Sequence, residues 1–274
     1  MLLAVVMECL FSATFLQNIC QLGVRPDAVF IAHPQSIPFE KTAPRINLIA
    51  DGTRVDEYTH RLGLPLYRVY SWSAVPEQYL EQFDTIVVAC FPRKLPAHRL
   101  KRRGIRAWNV HPSALPELRG PDPLFYTARG DAPAAVTIHE IDAQYDTGPL
   151  LNSVSVHTQG VCDEHGYIAA HAIHAAALYC QLVGQPAQPT PQPERIVSSW
   201  ASYPNAADYT LSETWSMTRT LRFVALTNLR AHPYWVPTAH AWVHRIGESG
   251  EIQIPCADGV LYGTRWHNVS TAQV

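Results

Sequence analysis

The stretch TIVVACFPRKLPAHRLKRRGIRAWNVH, residues 85–111, decides the fold. Residues 85–90 form a continuous apolar run, the pattern of a strand buried on both faces. AHRLKRRG (97–104) reads as a short basic helix stopped by a glycine. IRAWNVH (105–111) reads as the next strand. A strand, a crossover helix and a second strand make one βαβ unit, which sets its strands parallel. Upstream the alternation repeats. LLAVVM (2–7), DAVFIA (27–32) and PLYRVY (65–70) read as strands. SATFLQNICQLG (12–23), TRVDEYTHRLG (53–63) and VPEQYLEQF (75–83) read as helices, with Ser12 as N-cap and Gly23 closing the first. The expected class is α/β, with a mostly parallel sheet covered on both faces.

Downstream the pattern changes. PAAVTIHEI (133–141) and LLNSVSVHT (150–158) are β-rich and joined by DAQYDTGP (142–149), and a helix follows at about 163–183. GQPAQPTPQPE (184–194) then holds four prolines and reads as a stiff spacer. The expected organisation is a first domain over 1–184, a Pro-rich linker over 185–199 and a small domain over 200–274. That last part starts with a helical stretch, TLSETWSMTRTLRFVALTNL (210–229). It ends in short β-like runs, with Asp258-Gly259 as a hairpin signal. Trp200, Trp215, Trp235 and Trp242 are expected in its apolar core.

Composition narrows the function classes. The chain has 274 residues, 47% hydrophobic and 16% charged, with a formal charge of −2. That argues for a globular protein and against one built to grip nucleic acid by counterion release. No segment approaches the length of a membrane span. Glu8 interrupts the first apolar run, and no Lys or Arg precedes it, so it reads as a first strand rather than a secretion signal. The six cysteines are scattered without a C-x-x-C pair. They read as reduced thiols of a cytoplasmic protein, and no metal site is expected. His171 with His174, and His240 with His244, have metal-like spacing but no third ligand, so both pairs read as structural.

Chemistry is expected at the end of the 105–111 strand. Asn109 and His111 are two apart on an extended chain and project to one side. Pro112 and Pro116 keep the following loop irregular. The 142–149 loop supplies Asp142 and Asp146; Asp142 reads as a turn former. An amide can stabilise a developing oxyanion, an imidazole can move a proton, and a carboxylate can orient the imidazole. No activated Ser or Cys stands beside the His, so the set suits direct attack of an outside nucleophile on an activated acyl group. Ser113 serves either substrate or a turn. The seven Lys and Arg between Arg93 and Arg106 read as a solvated helix face.

NVHPSALPELRG (109–120) followed by VTIHEIDAQYDTGPLL (136–151) resembles the signature of the 10-formyltetrahydrofolate-dependent formyltransferases. That family carries an Asn-x-His pair, a Ser-Leu-Leu-Pro-like loop and a later Asp-x-Gly. Residues 80–151 match best, and IPCADGVLYGTRW (254–266) resembles the β-rich C-terminal domain of methionyl-tRNA formyltransferases. The resemblance implies a Rossmann-like formyltransferase fold and 10-formyltetrahydrofolate as co-substrate. It implies that Asn109 donates to the formyl oxygen, that His111 stabilises the intermediate and manages proton transfer, and that Asp146 tunes His111. It puts Phe91, Arg93 and Leu95 in the folate pocket, and the backbone of Ile141, Asp142, Ala143 and Gln144 at the pterin ring.

The acceptor is read from departures. ECLFSATFLQ (8–17) lacks the glycines of a phosphate loop, which sets glycinamide ribonucleotide aside. The 33–52 loop and the tail carry no net positive charge, and the tail has five Lys or Arg against five Asp or Glu. RGPDPLF (119–125) looks like members that act on small amines. The expected acceptor is therefore the primary amine of a small molecule, with an amino-sugar nucleotide as the leading case. Methionyl-tRNA formylation is the alternative and formyltetrahydrofolate hydrolysis the second. The tail is expected to bind substrate, form a homodimer or cover a sheet edge, and the sequence leaves these three open.

Overall fold

The computed structural model describes residues 1–33, 55–186, 188–193, 200–230 and 232–266. In chain order the strands are β1 (Leu2–Val6), β2 (Ala28–Ala32), β3 (Leu66–Val69), β4 (Thr85–Ala89), β5 (Arg106–His111), β6 (Ala135–Glu140), β7 (Leu150–Ser155), β8 (Tyr234–Val236), β9 (Ala241–Gly247), β10 (Ile252–Cys256) and β11 (Gly259–Arg265). The helices are α1 (Leu10–Gln21), α2 (Val55–Arg61), α3 (Glu77–Leu80), α4 (Ala97–Arg102), α5 (Pro123–Arg129), α6 (Glu164–Leu182) and α7 (Met217–Ala225).

The first seven strands form one sheet in the order β3-β2-β1-β4-β5-β6-β7. The first five pair in parallel, and β6 is antiparallel to both neighbours. Period-2 alternation sorts β1 between two cores. Ala4 and Val6 face α1 and α6, meeting Phe15, Leu16 and Ala175. Leu3 and Val5 face the other layer, with Leu80 of α3 and Leu100 of α4. Ala172, Ala175 and Ala176 are wholly buried on α6, small enough for α1 to approach closely. The expected α/β class with a mostly parallel, doubly covered sheet is what the chain adopts.

β8 to β11 form a second, antiparallel sheet in the order β10-β11-β9-β8. Its core holds Phe223, Val243, Ile254 and Leu261, and also Leu118, Phe125 and Tyr126 from beside the first sheet. The two sheets therefore share one apolar layer at the 118–126 segment.

Local departures have physical causes. Cys9, not Ser12, caps α1; Ser12 is wholly buried and donates to the Ala89 carbonyl, tying α1 to β4. Gly23 does close α1, at φ +89°. The predicted 210–229 helix shrinks to α7, because Ser216 caps it at Arg219 and Asp258 takes the Met217 N–H. The predicted hairpin forms one residue early: Cys256 pairs with Gly259, leaving Ala257 and Asp258 as the turn. Trp200 is 52% exposed and is no core residue, whereas Trp215 and Trp242 pack against the second core. His171 is buried with Nδ1 against the Tyr167 carbonyl, an i to i−4 contact along α6. His244 lies on β9 and His240 in the turn before it. Two of the seven basic residues form ion pairs: Arg99 and Arg103 meet Glu77, and Arg103 also meets Glu81.

Among the described residues no helix is long and apolar enough to cross a membrane, and no His/Cys/Asp/Glu group could hold a metal ion. The 33–52 loop, read as carrying no net positive charge, lies, past His33, outside the described residues.

Candidate active site

A cavity of about 500 Å³ opens beyond the ends of β4 and β5. Cys90 to Leu95 follow β4 along one side, and Asn109, Val110 and His111 of β5 form the floor. The loop between β6 and β7 folds back across that floor, bringing Ile141, Asp142, Gln144, Tyr145 and Asp146 to the cavity. The wall is mainly apolar, with Val88, Phe91, Leu95, Leu124 and Ile168 among its residues. A concave apolar site with few convergent polar groups is how small-molecule sites are built.

Asn109, His111 and Asp146 meet. Asn109 Nδ2 lies 3.3 Å from Asp146 Oδ1, and His111 Nδ1 lies 3.6 Å from the same oxygen. The backbone N–H of Gly120 donates to Asp146 Oδ2 at 2.9 Å. His111 Nε2 lies 2.9 Å from the Leu118 carbonyl, which only accepts, so Nε2 carries the hydrogen. Nδ1 is then the nitrogen left to take a proton, and it faces a carboxylate. Burial pushes the His111 pKa below 6.5, against the opposing charge of Asp146. Burial alone would raise the Asp146 carboxyl. The charge of His111, then His139, and the Gly120 N–H outweigh it and hold the group at about 2. Asp146 is thus a permanent anion, and His111 is neutral at neutral pH.

Backbone conformation carries the cost of this arrangement. Leu118 has φ +55° and Asp146 φ +56°, a left-handed region that costs a non-glycine residue about 1–3 kcal/mol. Gly120, at φ +125°, has no room for a side chain: a Cβ would lie 2.7 Å from the Ala201 carbonyl oxygen. At Gly148 a Cβ would lie 1.9 Å from the Glu140 carbonyl oxygen. The Asp-x-Gly spacing therefore lets the loop turn tightly enough to set Asp146 over β5.

His139 belongs to the same cluster and went unread in the sequence. Its Nδ1 lies 2.7 Å from the Glu140 carbonyl, which fixes the hydrogen there, so Nε2 accepts from Asn109 Nδ2 at 3.0 Å. Both Asn109 N–H groups are engaged, one by His139 and one, at longer range, by Asp146. The pairing follows from register, since Asn109 stands opposite His139. The signal available was a lone His on an otherwise apolar strand.

The other expected residues sort unevenly. Phe91, Arg93 and Leu95 line the cavity. The Arg93 guanidinium donates to the His33 carbonyl at 2.9 Å and lies 4.9 Å from the Tyr70 ring centre. Ile141, Asp142 and Gln144 also line it, whereas Ala143 does not and its carbonyl accepts from Lys94 Nζ. Asp142 is exposed and bonds the Ala143 N–H, as a turn former does. Ser113 is buried and donates to the Glu117 carbonyl, closing a turn. Trp200 and Tyr203, both exposed, stand at the cavity mouth.

Residues 73–172 match the family model described as formyl transferase. That segment holds β4 to β6, Asn109, His111, His139 and Asp146. The similarity to formyl transferases therefore lies over the segment that builds the floor of the cavity. A methionyl-tRNA formyltransferase of Streptococcus agalactiae is 34% identical over 152 residues, covering 53% of this chain and 46% of that protein. The chain thus spans about half the length of the curated relatives it matches. An N-formyltransferase from Helicobacter canadensis, solved with folinic acid and dTDP-3-aminofucose, has a TM-score of 0.61 at 15% identity. It covers 96% of this chain and 98% of its own. A 4-N formyltransferase from Francisella tularensis has a TM-score of 0.55 at 13% identity, covering 82% of this chain and 87% of its own. At these identities the two structures share the fold.

Proposed function

We propose that this protein transfers the formyl group of 10-formyltetrahydrofolate to the primary amine of a small molecule, with an amino-sugar nucleotide as the leading acceptor. The observation that carries this reading is the His111–Asp146 pair, Nδ1 to Oδ1 at 3.6 Å, on the floor of a largely apolar cavity. The cavity suits a folate: Phe91, Leu95 and Ile141 offer an apolar wall, and Arg93 and Lys94 stand where an anionic tail could run.

When bound, 10-formyltetrahydrofolate supplies an activated formyl carbon. Asn109 exchanges its long bond to Asp146 for one to the formyl oxygen, which gains negative charge as the amine attacks; such a donor is worth about 10²–10³ in rate. His111 takes the amine proton on Nδ1, and Asp146 stabilises the imidazolium that results. The same proton can pass to the departing folate nitrogen as its bond to the formyl carbon breaks, leaving a formamide and tetrahydrofolate. Asn109 stays anchored by His139, so its amide is oriented before substrate arrives.

A small acceptor is supported by the charge-neutral tail and by Trp200 and Tyr203 at the mouth, aromatic faces that suit a planar ring. The 34% identity to a methionyl-tRNA enzyme favours the second reading. Tetrahydrofolate release from 10-formyltetrahydrofolate, measured with amino-sugar nucleotides, amino acids and their N-hydroxy forms, charged methionyl-tRNA, and no acceptor, separates the readings. Release with one small amine alone is expected. Release with charged tRNA alone replaces the acceptor assignment, and release without any acceptor makes the protein a hydrolase.

A further inference from the structure

Gln192 lies in the proline-rich stretch that reads as a spacer, yet its side chain reaches the catalytic loop. Its Nε2 donates to the Asp146 carbonyl at 2.9 Å and to the Gly148 carbonyl at 2.7 Å. Its Oε1 accepts from the Arg119 guanidinium, from Nε at 3.1 Å and from the terminal nitrogen. All four hydrogen-bonding positions of one amide are filled, the full capacity of a glutamine. Arg119 precedes Gly120, whose N–H holds the Asp146 carboxylate. One side chain therefore joins the backbone of the Asp146 loop to the loop that clamps its carboxylate.

The backbone delivers Gln192 to that place. Thr190 and Leu150 exchange two backbone hydrogen bonds at 2.8 Å, which fastens the stretch to β7. Pro191 and Pro193 flank Gln192, fixing φ and offering no N–H of their own. Asp146, at φ +56°, sits in a conformation that persists only when its surroundings impose it. Two carbonyl contacts within that turn impose it from one side, and Gly120 from the other.

We propose that Gln192 is a positioning residue: it holds the Asp146–Gly148 turn against Arg119 and thereby fixes the carboxylate that faces His111. This rests on the formyl transfer reading for its catalytic consequence, but the geometric claim stands apart from it. Without the amide, two part-buried carbonyls lose their donors and the turn relaxes. The carboxylate then faces His111 less well, and the imidazolium loses support. Gln192→Glu keeps size and the Arg119 contact but sets an oxygen against the two carbonyls, so it acts on the Asp146 side alone.

Two readouts test this on the full chain. Gln192→Ala and Gln192→Glu are each expected to lower kcat by about 10-fold or more. The acceptor KM should change less than threefold. In Gln192→Ala the titration of His111 by NMR is expected to move down by about 0.5 or more, because the nearby Asp146 carboxylate is what supports its protonated form. Arg119→Met should act in the same direction, and Arg119→Met with Gln192→Ala should lose no more than Gln192→Ala alone. An unmoved His111 titration in folded Gln192→Ala overturns the proposal, whatever the turnover. A kcat loss that merely tracks lost folded protein, with His111 unmoved, also overturns it. If the unaltered chain transfers no formyl group, the acceptor reading fails while the NMR titration still decides the role of Gln192.

Discussion

Asp146 concentrates the chemistry of the site in one carboxylate. It faces His111 and accepts from Asn109 and from the Gly120 N–H. Held at about 2, it is charged throughout the working range. A lowered folded-state value means that its contribution to stability is present above the unfolded value, near 3.8, and disappears only as pH falls toward 2. In the proposed reaction its role at neutral pH is therefore to act on His111. Asp146→Asn keeps the shape and removes the charge. The expected result is a folded protein with kcat reduced by about 10²–10⁴. His111 is already pushed below 6.5 by burial, and without the anion it falls further. The proposed transfer needs His111 neutral, so the acidic limb of kcat/KM should lie below pH 6.5 in the unaltered protein and lower still in Asp146→Asn. Rates measured from pH 5 to 9 check both points, and a variant with near-normal turnover would remove Asp146 from the mechanism.

At the scale of elements, α6 carries a second buried histidine with a different consequence. His171 packs 4.5 Å, centre to centre, from the Tyr167 ring, and its Nε2 is buried without a hydrogen-bond partner. Burial depresses its pKa to about 4. Between pH 6.5 and 4 the unfolded chain binds a proton there that the folded chain refuses, so stability falls as pH falls through that window. The loss should reach the order of 3 kcal/mol by pH 4. His171→Phe, which fills the space and cannot titrate, should flatten that slope in urea unfolding series at pH 7, 6, 5 and 4. An unchanged slope would place the proton uptake elsewhere. The elements were legible because the parallel strands read as short apolar runs, as in the continuous run of β4, separated by helical stretches with their own stop residues. Asn109, His111 and Asp146 were legible because spacing and loop chemistry mark them. Gln192 was not, since its partners are carbonyls 44 and 46 positions away that no pattern encodes. His139 depends on register between β5 and β6, and Trp200 on where a proline-rich stretch lands, neither of which periodicity fixes.

Across the whole molecule, the second sheet is built into the wall of the site. The Leu118 side chain is wholly buried in the small sheet's core, while its carbonyl holds His111 Nε2. Asp122 lines the cavity and forms a two-pronged pair with the Arg230 guanidinium, whose Nε lies 3.3 Å from Glu164 Oε1. Arg230 also lies 5.4 Å from the Phe125 ring centre, and Glu164 accepts from the Leu229 N–H. This cation is the link between the 118–126 segment, the start of α6 and the connection from α7 to β8. Both carboxylates are mostly buried, 11% and 6% exposed, so removing the cation leaves two anions facing each other. A buried pair broken on one side costs about 3–5 kcal/mol. Arg230→Ala should lower the unfolding free energy by about that much, with the loss appearing in chemical unfolding of the full chain. Adding Asp122→Asn and Glu164→Gln removes the stranded charge and should recover a large part of it. An Arg230→Ala protein of unchanged stability would mean that the shared apolar layer around Leu118 and Phe125 docks the second sheet without this ion pair. Recovery in the triple variant would show that the cation acts by neutralising the two buried carboxylates, Asp122 in the cavity wall among them, rather than by fastening the sheet through its own contacts.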